Sequence, residues 1–137
     1  MHQLIQFIKC WKCGEINRLI SPTDQSLNFH CENCDAGILK QEVIKGYIYI
    51  LSNPLMEGLL KIGYTERTPE ERVAELQGTG VPSDFVLECA YLSKDPQGDE
   101  KAIHERLEEY RVNKKREFFR LELDQACLVI DEYCHLR

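Results

Sequence analysis

The sequence has no long apolar run and contains little proline or glycine. No stretch approaches the roughly 18 apolar residues that a membrane-spanning helix needs. Five prolines and eight glycines in 137 residues are too few for a disordered or low-complexity chain. The apolar segment at residues 4–8 lacks the basic lead and the cleavage site of a signal peptide. We therefore expect a folded cytoplasmic or nucleoid-associated protein rather than a secreted or membrane protein.

Acidic residues outnumber basic ones, 23 against 17, which gives a formal net charge of −6. The excess lies in residues 46–137, because residues 1–45 contain equal numbers of each. An acidic chain argues mildly against tight nonspecific DNA binding, which depends on neutralising phosphates. One segment is nevertheless basic, and it could contact phosphates or be a solvated loop. Its cations are Arg111, Lys114, Lys115, Arg116 and Arg120.

Four of the seven cysteines form two C-x-x-C pairs near the N-terminus. Cys10 and Cys13 are followed, after 17 residues, by Cys31 and Cys34, a spacing typical of paired zinc knuckles. Each C-x-x-C turn can direct two sulfurs to one point, and two such turns complete a tetrahedron of thiolates. Strand-like stretches flank both pairs, so we expect residues 1–45 to form a zinc ribbon around one structural Zn²⁺.

Metal binding would have to stabilise this segment, because about 45 residues bury too little apolar surface to fold alone. A disulfide framework is the competing explanation, but nothing in the sequence marks the chain as secreted. Redox chemistry at one C-x-x-C pair would leave the second pair unexplained. The other cysteines, Cys89, Cys127 and Cys134, lie in apolar stretches and are expected to be buried.

Residues 46–137 are expected to form a second domain of the α+β class, in which helices flank a small antiparallel or mixed sheet of three strands. Residues 46–53 and 59–65 read as a hairpin, because Pro54 and Gly58 mark a turn between them. Residues 85–92 read as the third strand, largely buried.

Three helices are predicted around this sheet. Thr68 and Pro69 begin the first, Glu71 completes a capping box, and Gly78 with Gly80 is expected to end it. The second helix is predicted to begin at residues 95–96. The third is predicted to be capped by residue 124.

Five short motifs follow one another within residues 46–123. Their order resembles the phage-type DNA-binding branch of the GIY-YIG endonuclease superfamily, whose fungal relatives are called meiotically up-regulated proteins. The motif residues are Gly46, Ile48, Tyr49 and Asn53; Lys61, Ile62, Gly63 and Thr65; Arg72; Glu100 and His104; and Glu117, Phe118 and Phe119.

The resemblance implies a metal-dependent hydrolase that cuts DNA phosphodiester bonds. It implies that Tyr49 orients or deprotonates the attacking water, that Arg72 contacts the scissile phosphate, and that Glu100 binds Mg²⁺ or Mn²⁺. Lys61 stands where the wider superfamily has a tyrosine, and it could contact phosphate or only flank its strand. Tyr47 shares one face of its strand with Tyr49 and is a further candidate site residue.

Glu100 and His104 are four residues apart and therefore share one face of a predicted helix. The pair could hold a metal ion or place a proton carrier beside it. Equally, Glu100 could be a first-turn residue favoured by the helix dipole, next to a solvent-facing His104. Phe118 and Phe119 are expected in the core.

Two other functions remain compatible with the sequence. One is a nucleic-acid-binding module of the same fold that does not cut, which Lys61 in place of tyrosine favours. The other is an adapter whose zinc ribbon docks on another protein, which agrees with the acidic net charge. The expected partner is nucleic acid, with DNA favoured over RNA, and no membrane is expected to be involved.

Overall fold

The computed structural model describes residues 2–77, 84–114 and 116–136, so the predicted helix end at Gly78 and Gly80, and Lys115 of the basic segment, lie outside the described residues. The chain divides into two units, Met1–Val43 and Ile44–Arg137. None of the helices within the described ranges is long and apolar enough to cross a membrane.

Two antiparallel hairpins make up the first unit. β1 (Gln3–Lys9) pairs with β2 (Ile16–Pro22), and β3 (Leu27–His30) pairs with β4 (Gly37–Gln41). Each hairpin contains or borders one C-x-x-C turn. The predicted strand-like stretches around the cysteines are therefore confirmed as strands.

The two C-x-x-C turns share one backbone geometry. The N–H of Cys10 donates to the carbonyl of Glu15, and the N–H of Cys31 donates to the carbonyl of Ala36, both at 2.8 Å. Four residues after each leading cysteine the backbone is left-handed, at Gly14 (φ 80°) and Asp35 (φ 64°). Glycine and aspartate are among the residues that tolerate this conformation best, so each turn can close over its sulfurs.

The second unit is an α+β layer structure, as predicted. Its sheet contains β5 (Gly46–Ser52), β6 (Leu59–Thr65), β7 (Val86–Ser93) and β8 (Phe118–Arg120) in the order β7-β5-β6-β8, and every neighbouring pair is antiparallel. The prediction of three strands was wrong by one. β8 has only three residues, too few for an apolar alternation to reveal a strand, and it exists because β6 offers it an edge.

The described helices are α1 (Pro69–Leu76), α2 (Pro96–Arg106) and α3 (Leu123–Leu136), with one 3₁₀ turn at Glu108–Tyr110. The predicted cap of α1 is confirmed, because the Thr68 hydroxyl accepts a hydrogen bond from the N–H of Glu71 at 3.2 Å. Asp95 caps α2 in the same way. α3 begins at Leu123, so Asp124 lies in its first turn and is not the cap that the sequence predicted.

The sheet separates two apolar clusters. Ile48 and Ile50 of β5 pack with residues of α2 and α3, including Ile103 and Ile130. On the opposite face Tyr49 and Leu51 pack with residues of α1 and with Phe85. Phe119 is buried in the first cluster, Phe118 lies against the second, and Cys89, Cys127 and Cys134 lie against the first, partly buried. Both phenylalanines are therefore packing residues, as expected.

A buried carboxylate joins β7, α2 and α3. Asp99 of α2 accepts hydrogen bonds from the Ser93 hydroxyl at 2.5 Å and from the Tyr133 hydroxyl at 2.7 Å. Tyr133→Phe should lower the free energy of unfolding by about 1.5–3 kcal/mol, because a buried carboxylate loses one donor. Urea unfolding measures this change. Tyr110→Phe, at a half-buried tyrosine of the same unit, is the matched control, and an equal loss there would contradict this role for Asp99.

Candidate functional site

The first candidate site is the group of four cysteines predicted from their spacing. The Sγ atoms of Cys10, Cys13, Cys31 and Cys34 all lie within 4.8 Å of one another. Sulfurs of different hairpins approach to 3.6 Å, between Cys10 and Cys34 and between Cys13 and Cys31. The four thiols thus converge on one point, an arrangement compatible with tetrahedral zinc.

Asn17, which the sequence analysis did not single out, supports this cluster. Its side chain is buried, and the amide donates to the Cys31 sulfur at 3.4 Å, while its oxygen accepts from the N–H of Glu32 at 3.0 Å. The Asn17 hydrogen bond is the main cause that lowers the pKa of the Cys31 thiol to about 6. A thiol that deprotonates easily is a better metal ligand. The strand alternation could have indicated this position, because Asn17 is polar and yet lies on the same face of β2 as the buried Leu19 and Ser21.

The second candidate site forms where β5 and β6 place Tyr49 opposite Gly63. Tyr49 is only 1% exposed. A Cβ atom at Gly63 would collide with the Tyr49 hydroxyl and would lie 2.8 Å from the Glu117 carboxylate. The glycine therefore leaves space that a phenol and a carboxylate occupy together.

The side chain of Arg72 contacts Tyr49 from the face of the sheet that α1 covers. Its Nε donates to the Tyr49 hydroxyl at 3.5 Å, and its Nη1 donates to Glu75 at 3.1 Å. Burial raises the pKa of Tyr49, while the Arg72 hydrogen bond opposes this shift. The phenol is thus neutral at ordinary pH and stands beside a fixed positive charge.

Glu100 and His104 both hydrogen-bond to the edge of β6. This edge loses its partner strand after Lys61, because β8 pairs only with Leu59–Lys61. His104 donates from Nε2 to the carbonyl of Ile62 at 2.7 Å, and the carboxylate of Glu100 accepts from the N–H of Tyr64. The predicted shared helix face is therefore confirmed, and it serves to satisfy backbone groups that no strand reaches.

His104 faces the core rather than solvent. The residue is buried, its ring centroid lies 4.9 Å from that of Phe119, and burial lowers its pKa. His104 does not line the polar cleft beside Arg72 and Glu117. The alternative of a solvent-facing histidine was wrong, because the edge of β6 needed a donor at that position.

Glu100 combines a satisfied backbone contact with an unsatisfied oxygen. Its Oε2 is buried without a hydrogen-bond partner. Burial, and next the charge of Glu117, raise the pKa of Glu100 to about 7. A buried carboxylate oxygen without a partner, next to a second carboxylate, fits a hard divalent cation, which prefers oxygen ligands.

Lys61 and Glu117 form an ion pair at the same site, with Nζ and Oε2 separated by 3.2 Å. The Lys61 ammonium also lies 5.3 Å from the centre of the Phe118 ring. Glu117 belongs to the last of the five sequence motifs. It is not among the predicted site residues, because its neighbours Phe118 and Phe119 are expected in the core. The register of β8 against β6 brings it next to Gly63.

These groups border an open polar cleft with a volume of ≈ 630 Å³. Arg72 and Glu117 line it, and Tyr49 and Glu100 stand behind them, close enough that their charges act on one another. Tyr47 does not line this cleft; it lies further along the same face of β5, opposite Thr65 and Leu92. The remaining lining residues are Tyr64, Thr65, Glu66 and Arg67.

Comparison with known proteins gives the class of this chain. A profile match covers residues 46–134, which is 89 of the 137 residues. It places the second unit among phage-associated, nuclease-related domains, and thus indicates a function related to nucleic acids. The chain belongs to the T5orf172 domain family. No curated protein and no solved structure shows a significant match.

The pKa of Glu100 predicts how its replacement changes stability. The carboxyl has a pKa of about 7 in the folded protein instead of its ordinary 4.5, so the folded state binds the proton more tightly than the unfolded state. This contribution to stability is complete below the unfolded pKa and is lost as pH rises through about 7. Glu100→Gln imitates the protonated form. Without divalent cations, the free energy of unfolding of Glu100→Gln should be greater than that of the wild type by roughly 1–2 kcal/mol at about pH 8, and by less at about pH 5.

Urea unfolding at the two pH values measures this difference. Glu105→Gln, at an exposed position of the same helix, is the matched control and should show no such trend. A stability difference between Glu100→Gln and the wild type that is the same at both pH values would show that Glu100 is not held in its protonated form.

Proposed function

We propose that this chain is a metal-dependent nuclease of the GIY-YIG type that hydrolyses phosphodiester bonds in DNA. The observation that carries the proposal is that Arg72 lines the cleft and contacts the buried Tyr49 phenol, and that this phenol also lies within electrostatic reach of Glu100, which has a buried oxygen without a partner. Tyr49, Arg72 and Glu100 come from a strand and two different helices. A packing solution alone does not require these three groups to meet.

Arg72 is the proposed phosphate contact. Phosphodiester hydrolysis gathers negative charge on the phosphoryl oxygens, and a guanidinium held beside them stabilises that charge. The hydrogen bond to Tyr49 and the ion pair with Glu75 hold the Arg72 side chain in place at the cleft. The residue therefore needs little reorganisation when substrate binds.

Tyr49 is proposed to orient the attacking water. Its hydroxyl is neutral and accepts from Arg72, so its own proton would be donated to a water bound behind the Arg72 side chain. Lys61 is proposed to hold Glu117 and to add positive charge near the phosphate. His104 is proposed as a positioning residue, because it holds the β6 edge on which Gly63 and Tyr64 lie. Tyr47 would contact the nucleic acid further along the sheet.

Glu100, with Glu117 beside it, would hold Mg²⁺ or Mn²⁺. Such a cation, when bound, stabilises charge on a phosphoryl oxygen. Glu100 must give up its proton to bind the ion. A cation would favour the charged form that burial and Glu117 disfavour, so ion binding and the pKa of this carboxyl are linked.

Residues 1–45 are proposed to be a zinc ribbon that helps to position the nucleic acid. Four cysteines leave no open coordination position, so the Zn²⁺ would be structural and not catalytic. The hydrogen bonds to the sulfurs from Asn17 and from the N–H groups of Lys12 and Cys13 support this assignment.

A binding module that does not cut is the second candidate. Lys61 stands at the position of the superfamily's second tyrosine, and its charge is neutralised by an ion pair with Glu117. The replacement of that tyrosine favours a module that binds without cutting. A protein adapter is the third, and the net charge of −6 agrees with it. An affinity for DNA that falls steeply with salt separates a nucleic-acid-binding module from an adapter.

Removal of the Arg72 guanidinium or of the Glu100 carboxyl group should impair cleavage and leave DNA binding. Arg72→Ala should lower the cleavage rate by about 10²–10³, because one donor to the transition state is lost. Glu100→Ala should abolish cleavage. End-labelled plasmid, branched and single-stranded DNA, each with Mg²⁺ or Mn²⁺, provide the substrates, and an electrophoretic shift measures binding.

Glu105→Ala is the matched control, since it removes an exposed carboxylate from the same helix, and its cleavage rate should equal that of the wild type. Absence of product from folded, zinc-loaded wild type on every substrate would reject the nuclease in favour of the binding module. Full activity in Glu100→Ala would remove Glu100 from the site.

Loss of one thiolate should unfold the first unit. In Cys10→Ser or Cys31→Ser the proposed Zn²⁺ loses a ligand, and residues 1–45 have too small a core to remain folded without it. Zinc content and limited proteolysis of both variants test this. Cys134→Ser, outside the cluster, should retain full zinc. Full metal occupancy in Cys10→Ser and Cys31→Ser would mean that the ligands are assigned wrongly.

A further inference from the structure

The β1–β2 hairpin has one face turned inward and one face turned to solvent. Asn17, Leu19 and Ser21 of β2 are buried, whereas the residues between them are exposed. The strand register places Ile5 opposite Ile20, Phe7 opposite Arg18, and Lys9 opposite Ile16. We call these six residues the outer face of the hairpin.

This outer face is unusually apolar for exposed residues. Phe7 is 67% exposed, and Ile5, Ile16 and Ile20 are each about half exposed or more. Soluble proteins seldom leave several large apolar side chains adjacent on one surface unless that surface binds something. The cross-strand register makes them adjacent, because directly opposite residues have Cβ atoms about 5 Å apart.

The charges on the outer face are of one sign. Lys9 and Arg18 are its only charged residues, in a chain whose acidic residues outnumber the basic ones by 23 to 17. A second copy of the hairpin would bring like charges together. A polyanion with apolar surfaces matches the face better, and unpaired nucleotides combine both properties.

Trp11 adds a second exposed ring next to this face. Its indole N–H donates to the carbonyl of Gly37 at 2.9 Å, yet the residue is 75% exposed. The ring is thus held in one orientation with its surface open to solvent. Because Trp11 follows Lys9 by two residues, their Cα atoms are at most about 7 Å apart.

We propose that the outer face and Trp11 bind the unpaired bases of single-stranded nucleic acid. Phe7 and Trp11 stack on bases, and Lys9 and Arg18 contact the phosphates between them. Duplex DNA hides its base faces, so it can use only the two cations. The proposal rests on the proposed nucleic-acid function and specifies which form of the substrate the first unit recognises.

The test measures binding of the full zinc-loaded chain to a short oligothymidylate and to a duplex of equal length, without added Mg²⁺ or Mn²⁺. Trp11 is the only tryptophan, so its fluorescence reports on this surface alone. Stacking of bases should quench it saturably. Anisotropy of labelled strands gives the dissociation constants.

Phe7→Ala should weaken single-strand binding by about 5- to 150-fold, since base stacking on one ring contributes about 1–3 kcal/mol. Its affinity for the duplex should change less than about twofold. Arg18→Ala should weaken binding to both and reduce the salt slope by about one. Leu4→Ala, on the same strand but outside the outer face, and Lys40→Ala, a paired cation of the second hairpin, should bind as the wild type does.

Zinc content confirms that each variant is folded. Single-strand affinity that is unchanged in both Phe7→Ala and Arg18→Ala, with no quenching of Trp11, would overturn this proposal while leaving the nuclease intact. A change from dimer to monomer in Phe7→Ala, with unchanged affinity, would identify the face as a self-association surface and also overturn it. Wild type that binds neither strand form would reject the nucleic-acid function itself.

Discussion

The second unit depends on the strand register that sets Tyr49 opposite Gly63. Because Gly63 has no side chain, the Tyr49 hydroxyl and the Glu117 carboxylate can share the space above β6. Arg72 then meets the phenol from α1. A shift of one residue would turn Tyr49 to the opposite face of the sheet and remove all these contacts at once. The whole site therefore rests on one cross-strand pair.

Helix α2 both completes the hydrogen bonding at the edge of β6 and contributes Glu100 to the candidate site. Glu100 and His104 satisfy backbone groups at the edge of β6, where β8 no longer pairs. That arrangement leaves Glu100 half-buried, with one carboxylate oxygen buried and without a partner. A group that costs stability when charged is well suited to bind a cation, since the ion would restore the balance of charge. Structure and proposed chemistry thus share one carboxylate.

The first unit has a small apolar core, because two short hairpins enclose few apolar side chains. The thiol cluster takes the place of a core, and the inner face of β2 packs around it through Asn17. This arrangement leaves the other face of the β1–β2 hairpin uncovered, with Phe7 and Arg18 side by side. A unit built around a cluster of thiols can therefore present an apolar and cationic surface on its other side.

The sequence by itself determined the features that depend on local spacing. The two C-x-x-C pairs, the hairpin of β5 and β6 and the Thr68 cap each involve residues close along the chain, whose geometry follows from turn and helix periodicity. Only the tertiary structure decided the contacts of Asn17, His104 and Glu117 and the existence of β8. Those depend on which backbone groups are left unpaired, and on which side chains meet across elements that are far apart in sequence. Pairing between distant segments is a property of the packed chain, and no local pattern encodes it.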